Sequence, residues 1–371
     1  MSSKLFQPVN VGNLALKHRV VLAPLTRHRT TPSGIPHTEI VKEYYTQRSH
    51  APGTLLVSEG TFIAPKAAGR LYFPGIWSQE MIAAWRQART SHVTDSIHSK
   101  GSFIFCQLFA LGRSADPKVL AAGNPSLSYV SASAIPLSTR PSNVTPRPMT
   151  VDEIQEYTQL FAQASLNAIE AGFDGVEIHG ANGYLLDQFT QDVSNYRTDE
   201  YGGSIENRTR FPLEVVDAVV KAIGEERTGY RVSPWNTYQD MTMADPKPTF
   251  SYLTNEIKRR YPNFAYLHAV EPRIVGSTFR DEHEIRPQEE NDFLRNLWAP
   301  KPFISSGHRK ETAIEAADEK GDLVAFGRLF ISNPDLVQRL EQDLPLNPYD
   351  RATFYTPGDV AKGYTDYPFL N

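Results

Sequence analysis

Residues 150–179, TVDEIQEYTQLFAQASLNAIEAGFDGVEIH, carry two periodicities back to back. Thr150-Val151-Asp152-Glu153 has the capping-box pattern, in which the Thr hydroxyl and the Glu carboxylate each satisfy a free N–H of the first helical turn. Ile154, Tyr157, Phe161, Ala164 and Ala168 follow at steps of three and four, the apolar stripe of a helix. Then Gly175-Val176-Glu177-Ile178-His179 forms a short run that reads as a strand buried in a parallel sheet. A helix leading into such a strand is the repeating half-unit of an alternating α/β fold.

The alternation runs the length of the chain. Further strand candidates are Arg19–Ala23, Thr54–Ser58, Ser102–Gln107, Tyr230–Ser233, Ala265–Ala269, Pro302–Ser305 and Leu323–Phe326. Helical patterns separate them. Ser204 can cap one helix with Leu213, Val216, Val220 and Ile223 on its inner face, and Asn333-Pro334 reads as the start of another. Eight alternations predict a (β/α)8 TIM barrel. A doubly wound Rossmann fold fits less well, because no G-x-G-x-x-G follows the first strand.

The whole chain, 1–371, reads as a single domain with one insertion. Residues 112–149 follow the third strand, carry six prolines (117, 125, 136, 141, 146, 148), and are expected to form a lid or capping loop. The acidic segment 273–292 is expected to be a solvated surface loop.

Composition excludes several classes. The net charge of −4 argues against a polyanion-binding surface, and hence against a nucleic-acid partner. The single Cys106 excludes an intramolecular disulfide and a cysteine-rich metal site. It is expected to be a buried small hydrophobe. No apolar run is long enough for a membrane span, and residues 1–12 lack a secretory signal, so a cytoplasmic enzyme is the expectation.

In a barrel, chemistry sits at the C-terminal ends of the strands. Those ends run into Pro24-Leu25-Thr26-Arg27, Glu59-Gly60, Gln107, His179 with Asn182 and Tyr184, Arg231, Ser305-Ser306-Gly307 and Gly327-Arg328. The glycines after strands seven and eight suit a phosphate, with Arg328 as its clamp. Arg231 is either a fixed cation for an anionic ligand or half of a barrel-interior ion pair. Gln107 carries both a donor and an acceptor, as recognition of a pyrimidine edge requires. His179 and Asn182 can donate to one carbonyl or nitro oxygen and stabilise a developing enolate. A metal pair is the alternative, but no further ligands accompany them. Tyr184 carries a hydroxyl able to act as a general acid.

The motifs Ala23-Pro24-Leu25-Thr26-Arg27, Tyr45-Thr46-Gln47-Arg48, Ile178-His179-Gly180-Ala181-Asn182-Gly183-Tyr184-Leu185 and Arg197-Thr198-Asp199-Glu200-Tyr201-Gly202-Gly203-Ser204 with Asn207-Arg208 resemble the old yellow enzyme family. So do Val270-Glu271-Pro272-Arg273 and Gly327-Arg328 with Asn333-Pro334-Asp335-Leu336. The resemblance runs from Leu5 to Pro368, and is to fungal members of the classical subclass.

The resemblance implies an FMN-dependent ene-reductase that oxidises NADPH or NADH and reduces an activated alkene, as a monomer or homodimer. It implies that Pro24, Thr26, Gly60, Gln107 and Arg231 surround a non-covalent FMN ring, with Phe354 and Tyr355 flanking it. Ser306, Gly307, Gly327 and Arg328 would hold the phosphate. Substrate would meet His179, Asn182, Tyr184 and Phe109, with Tyr184 as proton donor. Phe109 stands where many members have Trp, and Ser306 where Gly is frequent. Thr26 stands where one subclass has Cys.

Other readings change the reaction. Some relatives isomerise an unsaturated aldehyde, but they tend to lack the tyrosine present here as Tyr184. A flavin-free, phosphate-binding barrel lyase or isomerase would call for a lysine or paired carboxylates at the strand ends. A non-catalytic flavin-binding protein would not need the donor pair and Tyr184.

Overall fold

The computed structural model describes residues 3–86, 93–141 and 144–370. All eight candidate strands form: β1 (Val20–Leu22), β2 (Leu55–Val57), β3 (Phe103–Phe109), β4 (Gly175–His179), β5 (Thr228–Val232), β6 (Tyr266–Val270), β7 (Phe303–Ser306) and β8 (Leu323–Phe326). Each pairs in parallel with its neighbour in the chain. β8 returns to β1 with Phe326 opposite Leu22, which closes the (β/α)8 barrel.

Because strand side chains alternate in direction, each strand feeds two cores. Val21, Leu55, Val57, Phe105, Tyr266, Ile304, Leu323 and Ala325 fill the barrel interior, together with Val11 and Leu16 of an N-terminal hairpin. Val20, Leu22, Leu56, Ile104, Cys106, Leu108, Val176, Ile178, Leu267 and Val324 point outward to the helices. Two glycines make room for large interior rings. A Cβ at Gly175 would meet Phe105 at 2.6 Å, and one at Gly229 would meet Tyr266 at 2.4 Å.

The helix Val151–Glu170 starts at the Thr150–Glu153 capping box and buries its whole expected stripe. Such side chains contribute roughly 1.5–3 kcal/mol each, against about 1 kcal/mol for a cap. Packing therefore holds the helix, and the cap sets where it begins. Ser204 caps the helix Ile205–Ile223, but the buried face is turned from the expected one. Phe211, Val215 and Val219 are buried with Leu213 and Val216, while Val220 and Ile223 are half-buried. Asn333 does not begin a helix. It ends the short helix Arg328–Ser332, and the next one, Leu336–Glu341, starts after Asp335, whose side chain makes no capping bond.

The described residues of 112–149 are folded rather than open. They contain the helix Pro117–Gly123 and a ladder pairing Val130–Ser131 with Arg147–Pro148. Gln188, just past β4, ties this insertion down, accepting from Arg113 N at 3.0 Å and from Ser131 Oγ at 2.9 Å. The segment 273–292 is only partly the solvated loop expected. Its first part is a hairpin, Ile274–Val275 with Thr278–Phe279, anchored where Arg273 donates to the Gly307 carbonyl.

The C-terminal segment is held by three buried arginines. Arg27 donates to the carbonyls of Phe354 and Gly363, Arg29 to those of Val360 and Thr356, and Arg48 to those of Phe330 and Tyr364. The Arg48 guanidinium also lies 3.6 Å from the centroid of Tyr44, whose ring stacks on Tyr364 at 4.1 Å. No described helix is long and apolar enough to cross a membrane.

Candidate active site at the barrel mouth

Strand register brings the predicted residues of β3, β4 and β5 together, with β6 beside them. Gln107 lies opposite Glu177, and Arg231 lies between His179 and His268. In β4 the alternation sends Glu177 and His179 to the same face, and Val176 and Ile178 outward.

Glu177 and His268 are both fully buried, and both were missed in the sequence reading. Glu177 accepts from Gln107 Nε2 at 2.7 Å and from His268 Nδ1 at 2.8 Å. Burial alone would raise the Glu177 carboxyl, but the hydrogen bond from His268, the charge of Arg231 and the hydrogen bond from Gln107 hold it below the usual carboxylate range. Burial lowers His268, so a neutral ring donates Nδ1–H to the carboxylate. The signal for Glu177 was its place two residues before His179 in an otherwise apolar strand, which puts both on one face.

Gln107 is therefore only partly committed. One N–H of Nε2 is given to Glu177, which leaves the second N–H and Oε1 for a ligand, so Gln107 keeps both a donor and an acceptor. Arg231 is fully inside the barrel, its charge disfavoured by burial and supported by Glu177. No described hydrogen-bond partner takes its buried Nε. The interior-ion-pair reading of Arg231 is not met, since no described carboxylate lies within ion-pair distance of it. Glu177 is near enough to act on it, but is bonded to Gln107 and His268.

His179 lies in an aromatic corner. Its ring is 5.1 Å from Tyr184 and 5.9 Å from Phe109, and Phe109 meets Tyr184 edge-on at 5.2 Å. Burial, then Arg231, brings His179 down to about 3, so the imidazole is neutral. Its buried Nδ1 has no partner among the described residues. Burial pushes the Tyr184 hydroxyl up to about 12, so it keeps its proton. Phe109 continues into an apolar wall, stacking on Phe62 at 4.7 Å, with Phe73 beyond.

Asn182 sits at φ +57°, in the left-handed region that Asn tolerates better than most residues. Gly183 follows at φ +74°, and its N–H is taken by Asp187 Oδ2 at 2.8 Å. This turn swings Tyr184 back toward His179.

Around the rest of the mouth, Pro24, Leu25 and Thr26 are half-buried at the end of β1. Gly60 backs onto Phe109, where a Cβ would stand 3.0 Å from the ring. Phe354 is buried, and Tyr355 is 46% exposed at the rim. β7 and β8 pair side by side, which brings Ser306-Gly307 and Gly327-Arg328 to adjacent strand ends. Ser306 Oγ makes only a long bond, 3.4 Å, to the Ala269 carbonyl. Arg328 reaches the hairpin, donating to Ser277 O at 2.6 Å with its guanidinium over Phe279.

The model of the NADH:flavin oxidoreductase / NADH oxidase family matches residues 4–347. A chanoclavine-I aldehyde reductase of Penicillium roqueforti is 47% identical over 372 residues, covering 99% of this chain and 96% of that protein. Morphinone reductase in complex with tetrahydroNAD superposes with a TM-score of 0.85 at 38% identity, covering 99% of this chain and 98% of that one. An old yellow enzyme homologue from Zymomonas mobilis gives a TM-score of 0.89 at 35% identity, covering 99% and 100%.

Proposed function

The chain belongs to the NADH:flavin oxidoreductase / NADH oxidase family, and from that membership we propose the roles of the residues at its barrel mouth. It is an FMN-dependent, old yellow enzyme-like oxidoreductase that uses a nicotinamide nucleotide to reduce activated alkenes. Bound at this mouth, FMN would supply the hydride-carrying chemistry that links the nicotinamide to the alkene.

The residues present suit that group. Arg231 is a buried cation whose Nε no described residue uses, as a site for the electron-rich edge of a reduced flavin calls for. Gln107 offers Oε1 as an acceptor for a ring N–H. Pro24, Thr26 and Gly60 line the ring, and Phe354 and Tyr355 flank it. Ser306, Gly307, Gly327 and Arg328 hold the phosphate. The short bond from Arg328 to Ser277 ties this region to the 274–279 hairpin.

Neutral His179 and Asn182 donate to the carbonyl or nitro oxygen of the substrate. Their N–H groups are present before charge develops, so they stabilise an enolate without rearranging. Tyr184 retains its proton at neutral pH and gives it to the carbon beside the carbonyl. Phe109, with Phe62 behind it, forms the apolar side of the substrate pocket. Nicotinamide and alkene use this pocket in turn, which makes turnover ping-pong. We read 1–371 as one FMN-binding domain acting in the cytoplasm.

The observation that carries this reading is the convergence of His179, Tyr184 and Phe109 within about 6 Å, with His179 opposite Arg231 in the strand register. Purified protein should be yellow, release FMN rather than FAD on acid treatment, bleach with NADPH without oxygen, and regain colour with a cyclic enone. A folded protein that releases no flavin, or reduced protein that an enone does not reoxidise, would exclude it.

A further inference from the structure

A donor role for Asn182 requires that its side-chain amide face the pocket with nitrogen rather than oxygen. An isolated amide has no such preference, since a half-turn about its last torsion exchanges the two. The chain that removes this freedom begins at a backbone group. Tyr238 N–H donates to Asn236 Oδ1 at 2.9 Å. A backbone N–H can only donate, so this contact fixes which end of the Asn236 amide is oxygen. Asn236 Nδ2 then points the other way and donates to Asn182 Oδ1 at 2.7 Å. With its oxygen turned to Asn236, Asn182 presents Nδ2 on the opposite side of its amide.

The remaining bonds hold the Asn182 backbone. Its N–H donates to Ser233 Oγ at 2.7 Å, and its carbonyl accepts from Gln239 Nε2 at 2.7 Å. Ser233, Asn236 and Gln239 all lie in the segment just past β5. Asn236 is 3% exposed, so water does not compete readily for its amide. We propose that Asn236 is a positioning residue. It transmits the polarity of the Tyr238 backbone amide to Asn182 and so makes Asn182 a hydrogen-bond donor to the substrate oxygen. This rests on the role given above to Asn182.

Asn236→Asp is the decisive change. The new carboxylate still accepts from Tyr238 N–H, but presents an oxygen to Asn182 Oδ1. Asn182 must turn its NH2 toward that carboxylate and its oxygen toward the pocket. The readout is binding of a para-substituted phenol to the flavin-loaded, oxidised protein, followed by its long-wavelength absorption band. The ring oxygen of the phenol stands in for the substrate oxygen.

Asn236→Asp should weaken the phenol about tenfold or more, at least as much as Asn182→Ala, since an acceptor now faces the ligand oxygen. The double variant should lose no more than Asn236→Asp alone, because the two residues act through one amide. The affinity ratio of wild type to Asn236→Asp should shrink as pH falls and the new carboxyl regains a proton to donate. A role limited to packing would give additive losses and a ratio independent of pH.

Wild-type affinity in Asn236→Asp, or additivity with Asn182→Ala, overturns the proposal while leaving the functional reading intact. A wild-type protein that gives no phenol band overturns both. If Asn236→Asp does not fold with flavin, Asn236→Ala replaces it. That variant frees the amide to take both orientations, so a loss of about twofold that vanishes in the Asn182→Ala background is expected. An Asn236→Ala protein indistinguishable from wild type overturns the proposal.

Discussion

Gln107 Nε2 donates to Glu177 Oε1 at 2.7 Å inside the barrel, with both side chains buried. The bond joins adjacent strands at facing positions and gives the carboxylate a second partner besides His268. Glu177 is also the acidic group that supports the charge of Arg231. One carboxylate thus orients the Gln107 amide, sets the tautomer of His268 and moderates Arg231.

Glu177→Gln should therefore raise the flavin reduction potential. Removing the negative charge leaves Arg231 a less opposed cation, which favours the anionic reduced ring. A rise of about 30 mV corresponds to a tenfold change for a two-electron couple, and a shift of that order is expected. Equilibration with a reference dye measures it. An unchanged or lower potential in a folded variant would contradict this role.

Tyr184→Phe should separate the two half-reactions. Flavin reduction by NADPH needs no proton from Tyr184 and should stay near the wild-type rate. Reoxidation by an enone should slow by roughly 10²–10⁴-fold, the usual contribution of a general acid. Nitroalkenes should suffer less, because a stabilised nitronate can leave before it is protonated. Stopped-flow measurement of each half-reaction tests this, and the reverse pattern would move the acid role to another group.

His179 should not titrate during catalysis. Burial and Arg231 hold it near 3, below its usual 6.5, so it becomes a cation only as pH falls through about 3. Tyr184, raised to about 12, loses its proton only as pH rises through that value. The ratio of enone reoxidation rates between wild type and His179→Ala should thus be constant from pH 5 to 9. A ratio that bends near 6.5 would mean that the imidazole is more solvated than the structure has it.

Arg48→Met should destabilise the fold by about 3 kcal/mol. It keeps an apolar stem but leaves the buried carbonyls of Phe330, Ile331 and Tyr364 without their donor. The loss should also loosen the segment that carries Phe354 and Tyr355. Urea unfolding gives the first effect, and faster proteolysis within residues 354–364 gives the second. An unchanged unfolding midpoint would show that water replaces the guanidinium at no cost.

Strand positions were legible because buried parallel strands are short apolar runs with polar or glycine borders, and all eight runs formed. The helix after Thr150 was legible in both its start and its face. The start of the last helix was not, because Asn333-Pro334 has the composition of a cap while its backbone closes the previous helix. The face of the helix Ile205–Ile223 also turned, since a period of 3.6 fits two adjacent stripes and only contact with neighbouring helices selects one. Likewise the hairpin at 274–279 lies in a segment whose charge alone reads as solvated.

By itself the sequence determined the barrel and which polar groups stand at its strand ends, though not Glu177 and His268 inside it, because alternation and strand-end polarity are local properties. His179, Asn182 and Tyr184 are close in the chain, so their association needed no tertiary information. Only the tertiary structure decided which atoms of those groups are free. Gln107 gives one N–H to Glu177, and Asn182 gives its oxygen to Asn236, across 70 and 54 residues of chain. Hydrogen-bond direction depends on which partners a closed barrel brings face to face, and no local pattern records that.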